Sequence, residues 1–278
     1  SHPMLSKTKK IKNDLYFIKD YENKISFLKD KYKGENCFII APGPSSKNPQ
    51  ISSLRTELEN NLVFCVKGVY STYKEFCDFH FFNDCNLPYN DRGVAGYQYD
   101  TKNDPIVIAS SGFTEDNARK RVGSQRWDIF CRVLDPALYP GEDIGYILEN
   151  LRFEAGIFDT MCQRPCGPGI VLETVIYMAL HVGVKNIFAI GLDGGTKFTS
   201  INNIYNKNLH LDTHPRTQKE LQFKNWEIEI TTNGTGPLCD WLGKKGINLF
   251  LVSEESKWNQ KIPRLSSAET KTICDRRL

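Results

Sequence analysis

The 278-residue chain has no apolar stretch of membrane-spanning length and no signal peptide at its start. The expectation is therefore a cytoplasmic protein. Charge of one sign is also scarce. The 36 Lys and Arg against 33 Asp and Glu leave a net +3, too little to argue for a nucleic-acid partner. There is no G-x-G-x-x-G, no P-loop lysine and no Asp-x-Asp. These absences remove the dinucleotide fingerprint, the P-loop phosphate cradle and a donor clamped through a metal on such an acidic pair. The nine cysteines are scattered, many within apolar runs such as Asn36-Cys-Phe-Ile-Ile, which fits reduced, buried thiols. Cys162 and Cys166 have no second pair at zinc-like spacing, so no metal site is expected. Internal repeats and low-complexity blocks are missing too.

What is present is an ordinary globular composition, 40% apolar and 25% charged, of a size for one large domain or a domain with a lid. Residues 4–33 carry Leu15, Ile18, Tyr21, Ile25 and Leu28 at spacings of three and four among many lysines, which predicts an amphipathic helix. Its lysines read as a solvated face. Peripheral contact with a membrane, at its inner face, is the alternative reading. Continuous apolar runs at 37–41, 62–66, 79–82, 105–109 and 247–252 predict buried strands, and a further strand closes at Asp193. Residues 127–133 fit either strand or helix. Helices are expected at 170–182, after Pro215 and at 237–245, and the charged tail 259–278 is expected to be poorly ordered. Strands alternating with helices give a doubly wound, mainly parallel, Rossmann-like α/β sheet. Its core is expected over 34–193 and 216–258, with 194–215 as a small lid subdomain.

Polar residues gather at the strand ends. Pro42-Gly-Pro-Ser-Ser46 follows the first strand and reads either as a phosphate-cradling turn or as a tight turn with a capping serine. Asn83 closes the third strand. Arg164-Pro-Cys-Gly167-Pro168-Gly169 leads into the helix at 170–182, where free N–H groups and the helix dipole suit an anion. Asp193, Gly194 and Gly195 lie at the carboxyl end of a strand, where open α/β sheets bind ligands. His210 and His214 follow on a polar loop suited to acid–base work.

In this order, and over about Asn36 to Val252, these residues resemble the bacterial sialyltransferases of glycosyltransferase family 42. Related proteins of the motility-accessory and methyl-pterin-pyrophosphokinase-like group share part of the pattern. Ile40-Ala-Pro-Gly-Pro-Ser45 looks like the family's A-G-N-G-P-S turn, which cradles the donor's phosphate and ribose. Phe81-Phe-Asn83 looks like the strand end whose Asn contacts the nucleotide. Gln163-Arg164 before Gly169 resembles Q-R-x-x-S-G near the donor. Lys185 to Asp193 resembles the strand closing G-x-D, and His210-x-x-x-His214 matches H-x-x-x-H, whose second His is the catalytic base. Pro42 stands for the family's Asn and Pro168 for its Ser. Gly195 stands where the family has a Tyr, and Tyr205 on the lid is the candidate substitute. The resemblance implies a GT-A-like variant fold and an inverting, metal-independent transfer from a CMP-sugar to a glycan acceptor. No cofactor other than that donor is implied, and a homo-oligomer is. Two alternatives stay open: a pterin pyrophosphokinase-like phosphotransferase and a non-catalytic nucleotide-binding module.

Overall fold

The computed structural model describes residues 3–47, 49–83, 97–122, 125–133, 149, 153–158, 170–193, 218–253 and 255–276. Among these, seven strands form one all-parallel sheet: β1 Asn36–Ile40, β2 Leu62–Val66, β3 Phe79–Phe82, β4 Ile106–Ser111, β5 Ile129–Arg132, β6 Asn186–Ile190 and β7 Asn248–Leu251. Their order is β5-β4-β3-β2-β1-β6-β7. The chain winds outward from β1 in one direction, returns, and winds outward in the other. This is the doubly wound, Rossmann-like arrangement, and its order reverses between β1 and β6. Within residues 127–133 the ambiguity resolves as a strand, β5, over Ile129–Arg132.

The helices are α1 Pro3–Tyr16, α2 Tyr21–Leu28, α3 Arg55–Asn60, α4 Tyr70–Tyr73, α5 Glu115–Val122, α6 Ile176–Val182, α7 Gln218–Lys244 and α8 Ser267–Asp275. On one face of the sheet α1, α2, α6 and α7 pack on Cys37, Ile39, Phe64, Phe79, Phe81 and Ile187. On the other, α3, α4 and α8 pack on Phe38, Ile40, Val63 and Phe188, and α5 packs on Val107 and Phe130. Because both faces are covered, β1, β2 and β3 are buried along their whole length. That burial is why they read as unbroken apolar runs rather than alternating ones.

A row of asparagines ties the base of the sheet. Asn36, Asn186 and Asn248 are register partners on β1, β6 and β7, and Asn61 precedes β2 at the same level. Asn248 Nδ2 donates to Asn186 Oδ1 (3.0 Å), Asn186 Nδ2 to Asn36 Oδ1 (2.9 Å) and Asn36 Nδ2 to Asn61 Oδ1 (3.3 Å). Asn61 Nδ2 ends the row on the Glu57 carbonyl (2.7 Å). Beside it, the fully buried Asp78 accepts from Thr8 Oγ1 (2.7 Å) and from the Val63 N–H (2.8 Å), which pins α1 under the sheet.

Three expectations change. The predicted helix over 4–33 is two helices. Asp20 accepts from the Asn23 N–H (2.8 Å) and starts α2 afresh. The two helices expected after Pro215 and at 237–245 are one, α7, which carries Pro237 inside it. The tail is ordered from 259 to 276. The Leu265 N–H donates to the Leu251 carbonyl (2.8 Å), and α8 starts with a reciprocal capping box between Ser266 and Glu269. The lid at 194–215 and residues 277–278 lie outside the described residues.

Candidate active site

The loops after β1 and β6 meet where the strand order reverses, the position at which open α/β sheets form their ligand crevice. Past the last ladder pair, the Ala41 N–H donates to the Ile190 carbonyl (2.8 Å) and the Gly43 N–H to the Gly191 carbonyl (3.0 Å). The contact is backbone on backbone, and two glycines allow it. A Cβ on Gly43 would lie 2.2 Å from the Gly191 oxygen and 2.6 Å from Asp193 Oδ2. A Cβ on Gly191, whose φ is +76°, would lie 2.0 Å from the Ala41 oxygen.

Ser45 closes the clasp. Its Oγ donates to Asp193 Oδ1 (2.6 Å) and its N–H to Asp193 Oδ2 (2.8 Å), while the Gly191 N–H donates to Ser45 Oγ (3.1 Å). Ser46 turns inward: its N–H (3.0 Å) and Oγ (2.7 Å) both donate to the Gly43 carbonyl. From α4 the Tyr73 hydroxyl, its pKa pushed up to about 12 by burial, donates to the Ser46 carbonyl (2.6 Å). Pro44 opens a short turn at Pro44–Lys47 that carries both serines.

The turn's own donors bond within the chain. Pro42 and Pro44 have no N–H, and those of Gly43, Ser45 and Ser46 are all engaged within the chain. Within the chain, residues 42–46 thus form a clasp between the loops after β1 and β6. The carboxylate of Asp193 is likewise buried and held by Ser45 at both oxygens.

A support missed by sequence reading comes from the tail. Ser256 Oγ donates to the Leu192 carbonyl (2.5 Å) and the Lys257 N–H to the Asp193 carbonyl (3.0 Å). Arg264 gathers four carbonyls, those of Asn259 (2.6 Å), Ile262 (2.7 Å), Ser256 (3.2 Å) and Trp258 (2.5 Å). One guanidinium thus shapes the loop that steadies the end of β6. No periodic pattern marks such side-chain-to-backbone bonds.

Asn83 follows β3 on the same edge, two strands from β1, roughly 10 Å along the sheet. The other expected site residues, Arg164, Gly167, Pro168, Gly169, Gly194, Gly195, Tyr205, His210 and His214, lie outside the described residues. Two histidines that are described are both built into the fold. His80 donates from Nε2 to the Lys67 carbonyl (2.9 Å) and accepts at Nδ1 from the Tyr99 hydroxyl (2.7 Å). Burial pushes its pKa down to about 3, so it stays neutral. His181 Nε2 donates to the Ile25 carbonyl (2.6 Å).

The chain resembles two solved glycosyltransferases. One is the sialyltransferase CstII from Campylobacter jejuni, solved in complex with a substrate analogue, cytidine-5'-monophosphate. It is 13% identical, with a TM-score of 0.42 over 84% of this chain and 87% of that one. The other is the MAf glycosyltransferase from Magnetospirillum magneticum AMB-1, 14% identical, with a TM-score of 0.45 over 90% of this chain. The match spans 39% of that protein's length. No family model and no curated protein matches the chain.

Proposed function

We propose that the chain is an inverting, metal-independent glycosyltransferase that moves sialic acid, or a related acid sugar, from a CMP-sugar to a glycan hydroxyl. The observation that carries this reading is the clasp at the switch point. The two segments with the family-like patterns, Ala41-Pro-Gly-Pro-Ser45 and Gly191-Leu-Asp193, lie far apart in sequence, yet they are hydrogen-bonded to each other at the crevice. Asn83, on the same edge, is the proposed contact to the nucleotide.

In this mechanism His214 takes the proton from the acceptor hydroxyl. The acceptor oxygen bonds to the anomeric carbon as the bond from that carbon to the phosphate oxygen breaks, and CMP leaves with inversion. A neutral imidazole suits that transfer near pH 7. Arg164 and the N–H groups from Gly169 onward would face the growing negative charge on the phosphate. Gly194, Gly195, Tyr205 and His210 are proposed contacts from the lid side. The engagement of His80 and His181 within the fold supports giving the base role to His214 rather than to either of them.

The test is release of CMP from CMP-sialic acid in the presence of glycan acceptors, with and without EDTA. Release is expected to be insensitive to EDTA. His214→Ala is expected to lower turnover by at least about a hundredfold while calorimetry still detects CMP binding. Near-wild-type turnover in that variant removes His214 from the mechanism. ATP turnover lost on chelation would point to a phosphotransferase, and CMP binding without any turnover to a non-catalytic module.

A further inference from the structure

Among the described residues two large aromatic side chains stand far out of the surface, the next exposed one being Phe113 at 36%. Tyr16 is 82% exposed and Phe17 81%, at the turn between α1 and α2, with ring centroids 5.5 Å apart and edge-on. The amphipathic pattern of this region does not account for them. The apolar stripe of α1, with Met4, Ile11 and Leu15, is buried in the core, together with Ile25 and Leu28 of α2. Neither helix can therefore lay its apolar face on another surface, and only the turn is left outside.

The surroundings of the pair are basic. Residues 4–33 hold nine lysines and four acidic residues, a net +5, while the whole chain is +3. On α1 the helical step of about 100° puts Lys9 within about 20° of Tyr16, two turns back on the same outward side. The same step sends Asp14 about 160° away. Lys9, Lys10 and Lys19 are all exposed, whereas Lys12 is held by Asp104 (2.7 Å) at the base of the sheet. Asp20, the first acidic side chain after the pair, is taken up by capping α2.

We propose that the Tyr16–Phe17 turn docks the protein on an anionic lipid surface, the two rings entering the headgroup layer and the lysines facing lipid phosphates. Tyrosine prefers that layer, where its apolar body and polar tip are both accommodated, and the phenylalanine beside it adds apolar area to bury. Lysines near an anionic leaflet add attraction that salt screens. The placement also fixes an orientation. α1 crosses the strand N-termini, with Thr8 on Asp78 and Lys12 on the Pro105 carbonyl (2.6 Å), so its end reaches the β5 side of the base. The candidate site opens at the opposite edge, at the strand C-termini. A docked molecule turns that crevice toward water, within reach of a soluble donor.

Flotation with phosphatidylglycerol-containing vesicles tests this, with pure phosphatidylcholine vesicles as the comparison. The intact chain is expected to partition to the anionic vesicles and to release with added salt. The variant Tyr16→Ser/Phe17→Ser, altered only at exposed positions, is expected to lose at least about tenfold in partitioning. The Phe17→Trp variant is expected to show a blue shift in tryptophan emission on those vesicles that the parent lacks. Equal partitioning of the double variant, no preference for anionic over neutral vesicles, or the same emission from parent and Phe17→Trp variant each overturns the proposal. So does a fall in oligomeric state in the double variant without vesicles, which would make the turn a contact between copies.

Discussion

Gly43 illustrates how a single residue is legible in kind and not in partner. A glycine between two prolines after a buried strand marks a close approach of backbone to something. The sequence offers a phosphate as that something; the fold supplies the Gly191 carbonyl and the Asp193 carboxylate. Which neighbour presses on a glycine depends on a contact across roughly 150 residues of chain, beyond any local pattern. Gly43→Ala is therefore expected to force the two loops apart and lower unfolding stability by about 2 kcal/mol or more, with no ligand present. Urea unfolding measures it, and an unchanged midpoint would show that the clasp yields freely. Ser45 follows the same logic. A capping or cradling serine is readable, but its pairing with Asp193 is not.

At the scale of elements, strands are easier to read than helices. Burial on both faces makes β2 and β3 continuous apolar runs, and their bounds at 62–66 and 79–82 coincide with those read from sequence. Helix ends depend on polar side chains acting locally. Asp20 interrupts a stripe whose spacing alone would carry one helix through to 33. The tail reads as unsupported because charged residues dominate it, yet Arg264 and the Ser266 cap hold it by bonds to backbone. The asparagine row is invisible in the sequence, since four isolated asparagines align only once the register of their strands is known. Asn186→Leu keeps the branched shape but strands Asn36 Oδ1 and Asn248 Nδ2. The expected cost is about 1–3 kcal/mol of stability, read as a lower denaturant midpoint. A variant as stable as the parent would show that water or a local shift replaces the lost bonds.

Asp78 is one group that couples the stability of the whole molecule to pH, and the buried, neutral His80 acts in the opposite sense. Burial raises this carboxyl from 3.8 to about 7, against the opposing hydrogen bonds from Thr8 and Val63. Between those values the folded chain holds a proton that the unfolded chain has released. Stability from this group is complete below about pH 4 and is lost as pH rises through 7. The displacement corresponds to a difference on the order of 4 kcal/mol. Asp78→Asn is expected to flatten that slope, so the variant gains on the parent as pH climbs from 4 to 8 in parallel urea titrations. A constant gap across the series would assign the pH dependence elsewhere.

The path from Arg264 through Ser256 to Leu192 has a consequence in time. Chains are made from the amino end, and early segments begin to fold while later ones are still in the ribosome. Gly43 and Asp193 emerge well before the arginine that gathers the carbonyls of residues 256–262. A nascent chain can thus bring its two glycine loops together and still lack their outer brace. The loop beside the end of β6 gains this brace only after that arginine has followed, so translation halted short of it leaves a nearly complete sheet without it.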